Sequence, residues 1–289
     1  MSKKVEQVQV EEDDFDFESV LSRRQAAPTK VAYIAINDEG GVGKTTSAIG
    51  FVTVLRKKKK VVDAWQCDPD HMKLLYGFGK RDQAGELFPL EDQKPDGCGF
   101  INIRTEGTKL IDSLSEEAEF KVYDMPAASI DELPVIFNSE YTFIDAFVRT
   151  GHKIVFLVPF VNHKDSLLAV EKLQNLFSGV HPDAVIEFAL VLNYEKMVNE
   201  KATLEALNSK SIQQLMRDHK VHVGHIKTKF VEGFEAVIDY TKDGPNRNWF
   251  ELLNPKAGNK ELKLNHLITM ESFLKEYYAF VKEVVGEKF

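Results

Sequence analysis

Residues 31–36, VAYIAI, run directly into residues 37–46, NDEGGVGKTT, and these into the helical pattern SAIGFVTVLRK of residues 47–57. No other feature constrains the fold as much. A buried strand that turns through small residues and re-enters as a helix leaves backbone N–H groups converging on one point. Gly40, Gly41 and Gly43 permit this because they accept φ values that side chains disfavour. Converging N–H groups at the positive end of a helix attract an anion, above all a phosphate. Val42 lies within that loop, and Lys44 stands where its ammonium reaches the β and γ phosphates of a nucleoside triphosphate. Thr45 offers its hydroxyl to Mg²⁺, and Thr46 opens the helix.

The common phosphate-loop template, Gly-x-x-x-x-Gly-Lys-[Ser/Thr], asks for glycine where this chain has Asp38. The match is to a variant, Asn-x-Lys-Gly-Gly-x-Gly-Lys-Thr-Thr, and through it the sequence resembles the ParA/MinD family of dimerising ATPases with a deviant Walker A loop. In that family the first lysine of the variant crosses the dimer interface to the partner's phosphates. This chain has Glu39 there. A carboxylate close to phosphate charge is repelled, so it does not replace the ammonium.

Two further motifs follow in the family's order. Residues 66–72, QCDPDHM, resemble the family's Asp-x-Asp-Pro-Gln strand end: Asp68 and Pro69 match, while Gln66 and Asp70 depart from it. The resemblance implies that Asp68 orients the attacking water, with Gln66 a neutral hydrogen-bonding stand-in. Residues 120–128, FKVYDMPAA, form an apolar strand closed by Asp124, and resemble the Walker B and switch region. An aspartate at that place holds a Mg²⁺-bound water while the loop threonine, Thr45, binds the metal. Residues 155–160, VFLVPF, resemble the next strand. Residues 188–197, FALVLNYEKM, resemble the strand whose terminal asparagine, here Asn193, hydrogen-bonds the adenine edge. Residues 225–230 fall where the family has a base-flanking loop, with no single residue transferable. The resemblance covers residues 30–240.

From residue 29 the chain alternates short apolar runs with longer helical patterns, the rhythm of a parallel sheet wrapped by helices. The patterns place strands at 31–36, 60–65, 120–124, 153–159, 184–193 and 221–225. They place helices at 45–57, within 130–149, and at 166–177, 200–219 and 270–285. One domain spans 29–289. Residues 1–28, with Glu11, Glu12, Asp13, Asp14, Asp16 and Glu18 around Phe15 and Phe17, read as a disordered acidic tail with too little apolar area to offset ordering. Residues 241–267 read as a polar, loop-rich insertion. The last helix carries Phe273, Leu274, Tyr277, Tyr278, Val281 and Val285 on one stripe among balanced Glu and Lys, which suits packing on the sheet rather than a membrane surface.

Composition closes off other classes. Cys67 and Cys98 are the only cysteines, too far apart for a Cys-x-x-Cys site, and suit free thiols in a reducing, cytoplasmic setting. The eight histidines form no metal-ligand spacing, and no Gly-x-Ser-x-Gly elbow is present. No apolar run reaches membrane-span length, and the N-terminus lacks a signal-peptide centre. A net charge of −8 argues against nucleic acid coating the whole surface; Arg217, Lys220, Lys227 and Lys229 read as solvated surface before a DNA-facing patch.

The expectation is therefore an α/β, doubly wound, mainly parallel sheet binding ATP and Mg²⁺ at the carboxyl ends of its strands. Lys44, Asp68 and Asp124 are the candidate catalytic residues. Gly40, Gly41, Val42, Gly43, Lys44, Thr45, Thr46 and Asn193 are expected to hold the nucleotide, and Thr45 and Asp124 the metal. The resemblance implies an ATP-dependent homodimer that partitions plasmid or chromosomal DNA, or positions another cargo, with a ParB-like protein or other adaptor stimulating hydrolysis. Two alternatives stand beside it: a nucleotide-sensing scaffold with little hydrolysis, and a P-loop biosynthetic or kinase-like enzyme.

Overall fold

The computed structural model describes residues 27–197, 199–228 and 263–289. The acidic tail before residue 27 and the insertion up to residue 262, with Lys229, lie outside the described residues.

The chain runs β1 (Lys30–Ala35), α1 (Lys44–Lys57), β2 (Val62–Gln66), α2 (Lys73–Phe78), β3 (Gly99–Phe100), α3 (Thr108–Leu114) and β4 (Phe120–Asp124). It continues through α4 (Leu133–Ile136), α5 (Glu140–Arg149), β5 (His152–Pro159), α6 (His163–Phe177), β6 (Ile186–Asn193), α7 (Glu200–Ala206), α8 (Lys210–Asp218), β7 (Lys220–Ile226) and α9 (Leu264–Val285). The strands form one seven-stranded sheet in the order β3-β2-β4-β1-β5-β6-β7. Every pairing is parallel, so the expected α/β doubly wound architecture holds.

Both faces of a parallel sheet are covered by its crossover helices, so its strands are apolar throughout instead of alternating. In β1, Val31, Tyr33 and Ala35 enter one core with Phe51 and Leu55 of α1 and Phe273, Tyr277 and Val281 of α9. Ala32 and Ile34 enter the other with Phe143 and Phe147 of α5 and Val170 and Leu173 of α6. The apolar stripe on α9 thus packs inward as expected. Gly50 makes that possible: a Cβ there would lie 2.3 Å from the Tyr277 ring.

Register positions the site. Asp124, the last residue of β4, pairs with Ala35 of β1 on one side and with Gln66 of β2 on the other. The three strands nearest the phosphate loop therefore end at one level.

Several expectations need correction. The stretch 200–219 is two helices, because Ser209 breaks the chain and caps α8, its Oγ accepting the Ile212 N–H at 3.3 Å. Helix α9 starts at Leu264, so residues 264–267 of the presumed loop-rich insertion are helical. The two-residue edge strand β3 and the short helices α2 and α3 have too few residues to show a period.

Candidate functional site

The loop between β1 and α1 opens at the carboxyl edge of the sheet. Asn37 fastens its start: the side-chain amide donates to the Pro159 carbonyl at 2.9 Å, and Oδ1 accepts the Glu39 N–H at 2.9 Å. Gly43 precedes the helix with φ 109°, and a Cβ on it would sit 2.9 Å from Asn193 Nδ2. Only glycine meets both conditions. Helix α1 begins at Lys44, one residue before the expected range 45–57. Among the described residues, the N–H groups of Gly40, Gly41, Val42 and Gly43 have no hydrogen-bond acceptor, as an anion cradle requires.

Lys44 is buried and donates to the main-chain carbonyl of Glu39 at 2.7 Å. Burial lowers its pKa, opposed by Asp124, Asp68, Asp38 and Glu39. Its charge is thus held in a dry pocket by backbone and by distant carboxylates, without a carboxylate of its own. The Glu39 carboxyl has one oxygen, Oε2, that is buried with no hydrogen-bond partner. Its pKa is raised by burial and by Asp165 on α6, against the pull of Lys44.

Asp124 is 1 % exposed. Its Oδ2 accepts from Gln66 Nε2 at 3.3 Å, and its Oδ1 is buried without a partner. Burial pushes the carboxyl up to about 7, against the Thr45 hydroxyl and the Lys44 ammonium, while Asp68 raises it further. An orphaned buried carboxylate oxygen beside a loop threonine is the donor set a hard cation or its bound water would take. Thr45 and Asp124 therefore fit Mg²⁺. Among the described residues no group of three or more His, Cys, Asp or Glu side chains is gathered for a metal, so such an ion would also need phosphate and water ligands.

Asp68 is differently occupied. Its Oδ1 accepts the N–H groups of Asp70 and His71 at 2.8 and 3.2 Å, and its Oδ2 lies 3.4 Å from His71 Nδ1. That is the turn-closing role an Asp-Pro pair ordinarily plays. Gln66 does more than a stand-in would. Fully buried, it accepts the Leu74 and Leu75 N–H groups on Oε1 at 3.1 and 3.4 Å while donating to Asp124. An aspartate there would accept from the helix but could not donate, which the sequence alone does not reveal. Asn193 lies against Gly43, with Oδ1 accepting the Glu195 N–H at 3.2 Å. The structure thus gathers Gly40 to Thr46, Asp124, Gln66 and Asn193, with the buried Asp68 near enough to act on the charges of Lys44 and Asp124.

No family model matches the chain, and no curated protein matches it. Among solved structures it is similar to the MinD cell division protein of Aquifex aeolicus, at 16% identity and TM-score 0.45 over 90% of this chain and 98% of that one. It is similar to apo McdA of Cyanothece at 16% identity and TM-score 0.49, over 89% and 99%. A third likeness is to the septum site-determining protein MinD of Pyrococcus horikoshii, complexed with Mg-ADP, at 14% identity and TM-score 0.47 over 90% and 98%. These three are matched over nearly their whole lengths, at 14 to 16% identity.

Proposed function

We propose that the chain is a ParA-like ATPase that binds and hydrolyses Mg·ATP and uses the nucleotide to control association with a second copy and with an activating partner. The observation that carries this reading is the pairing of a phosphate loop whose amides have no described acceptor with the orphaned Oδ1 of Asp124 beside it. Lys44 exchanges the Glu39 carbonyl for phosphate oxygens, which carry full charge and so compete well for it. The N–H groups of the loop hold the β phosphate, and Asn193, packed on Gly43, borders the nucleotide. Bound Mg²⁺, held through Thr45 and Asp124, would neutralise phosphate charge. Asp68 orients water, and the cargo moved by the cycle is plasmid or chromosomal DNA or another body.

Glu39 favours a second reading. With a carboxylate in place of the interface-crossing lysine, the chain would sense nucleotide with little turnover. One experiment separates the two: ATPase rate and sedimentation with ATP for the native chain, Lys44→Ala and Glu39→Lys. Lys44→Ala is expected to abolish binding or hydrolysis, and intact binding and turnover in that variant would sink both readings. Glu39→Lys is expected to tighten ATP-dependent association, since it removes repulsion and adds a cation. Association of the native chain without turnover selects the sensor.

A further inference from the structure

The segment after β4 is fastened to the phosphate loop through a residue that the loop template does not require. The Asp38 carbonyl accepts the Ala128 N–H at 3.1 Å, its Oδ1 accepts the Ile130 N–H at 3.2 Å, and its Oδ2 accepts from Lys172 Nζ at 2.8 Å. Lys172 belongs to α6 and reaches Asp131 Oδ2 at 2.5 Å with the same ammonium. From the other side Arg104 donates to the Ala127 carbonyl at 3.2 Å and to Glu132 Oε2 at 3.0 Å. Within the segment so held, Ala128 has φ 56°, a left-handed conformation that side chains rarely adopt. Such a residue persists only where its surroundings over-determine it.

A glycine at position 38, as in the common template, would still supply the carbonyl that Ala128 uses. It would supply neither carboxylate contact. The contacts to Ile130 and Lys172 therefore depend on the Asp38 side chain. The charge arithmetic of this clamp is one-sided, because a single ammonium separates two carboxylates, Asp38 on the phosphate loop and Asp131 on the segment after Asp124. Without the cation the two carboxylates would repel, which weakens the hold of the loop on the segment.

We propose that Lys172 and Asp38 are positioning residues that hold residues 126–132 against the phosphate loop, so that turnover of a bound triphosphate depends on them more than its binding does. This rests on the phosphate-loop reading above for its kinetic half; the clamp itself rests only on the contacts.

The test uses the full chain. Amide exchange at Ala128 and Ile130 is measured for the native protein, Lys172→Met and Lys172→Arg, without nucleotide and with Mg·ADP, beside steady-state ATP hydrolysis. Lys172→Met is expected to exchange faster at both amides by about tenfold, the scale of one charge-assisted hydrogen bond. Its kcat should fall by about tenfold while KM stays within about threefold, the pattern of an interaction made beyond substrate binding. Lys172→Arg should restore both, since it returns the cation. Unchanged exchange in Lys172→Met overturns the proposal, and so does faster exchange with full kcat. Were the native chain to show no hydrolysis, the ATPase reading would fail. The exchange comparison would then decide the clamp by itself, retained protection rejecting it.

Discussion

Lys121 and Asp124 lie on the same strand, both out of water, and only one of them has a charged partner at hydrogen-bonding distance. Lys121 Nζ lies 2.8 Å from Asp63 Oδ2 across the sheet. Strands β5, β6 and β7 repeat the pattern near their amino ends, where Glu187 takes Lys153 at 2.9 Å and His222 at 3.0 Å. Burial pushes Glu187 up, but those partners outweigh it and hold the carboxyl below the usual range. At the carboxyl end Asp124 keeps an empty oxygen and a pKa near 7, and Lys44 spends its proton on a backbone carbonyl. Charge closed on itself is architecture. Charge left open at one edge of the same sheet waits for something to complete it, which separates a site from a core without any appeal to similarity.

Mutations at the two ends should therefore shift stability in opposite directions. Lys121→Ala strands Asp63 in the interior and should cost about 3–5 kcal/mol in urea unfolding, whereas Lys121→Met with Asp63→Leu should come close to neutral. A small loss in the single variant would break the contrast. Asp124→Asn should do the reverse, because it removes an unpaired buried carboxyl while keeping an acceptor for the Gln66 amide. The sign follows from linkage. The folded pKa of about 7 stands above the ordinary aspartate value of 3.8, so the folded state holds its proton longer and native stability falls as pH rises between those values. The variant lacks that slope. Its advantage should be absent near pH 4, grow through neutrality, and reach about 2–4 kcal/mol at pH 8, while nucleotide binding with Mg²⁺ weakens. Unfolding at pH 5 and pH 8 reads it.

The sequence showed the loop and the strand ends clearly because each is local: the order of strand, small residues and helix is written within residues 31–57, and Asp124 closes an apolar run. What it hid is relational. Gln66 reads as a missing aspartate until the sheet pairs it with Asp124 and sets α2 on its carbonyl oxygen. Asp38 reads as a flawed glycine until Lys172, far along the chain, arrives on α6. Asp68 matches a motif, yet its oxygens close a turn, which a motif does not distinguish from holding water. Short pieces such as β3 have no period to read, and Ser209 caps α8 inside what looks like one continuous helix.

The smallest expected effect sharpens the comparison most. Lys59, in the turn leading to the amino end of β2, and Ala128, beside the phosphate loop, have nearly the same left-handed backbone, φ 59° and 56°. Replacing either with glycine removes the crowding of Cβ, about 1–2 kcal/mol, and returns about 0.5–1 kcal/mol as extra freedom of the unfolded chain. Both Lys59→Gly and Ala128→Gly should thus gain up to about 1 kcal/mol in urea unfolding. Their effects on hydrolysis should differ. Lys59 follows a helix end and touches no part of the site, so its variant should turn over as the native chain does. Ala128→Gly frees the segment that Asp38 and Lys172 hold, and its kcat should fall by a few fold, roughly what one weakened contact supports. Equal kcat in the two variants would mean that the strain at Ala128 is ordinary turn strain, with no bearing on the open end of the sheet.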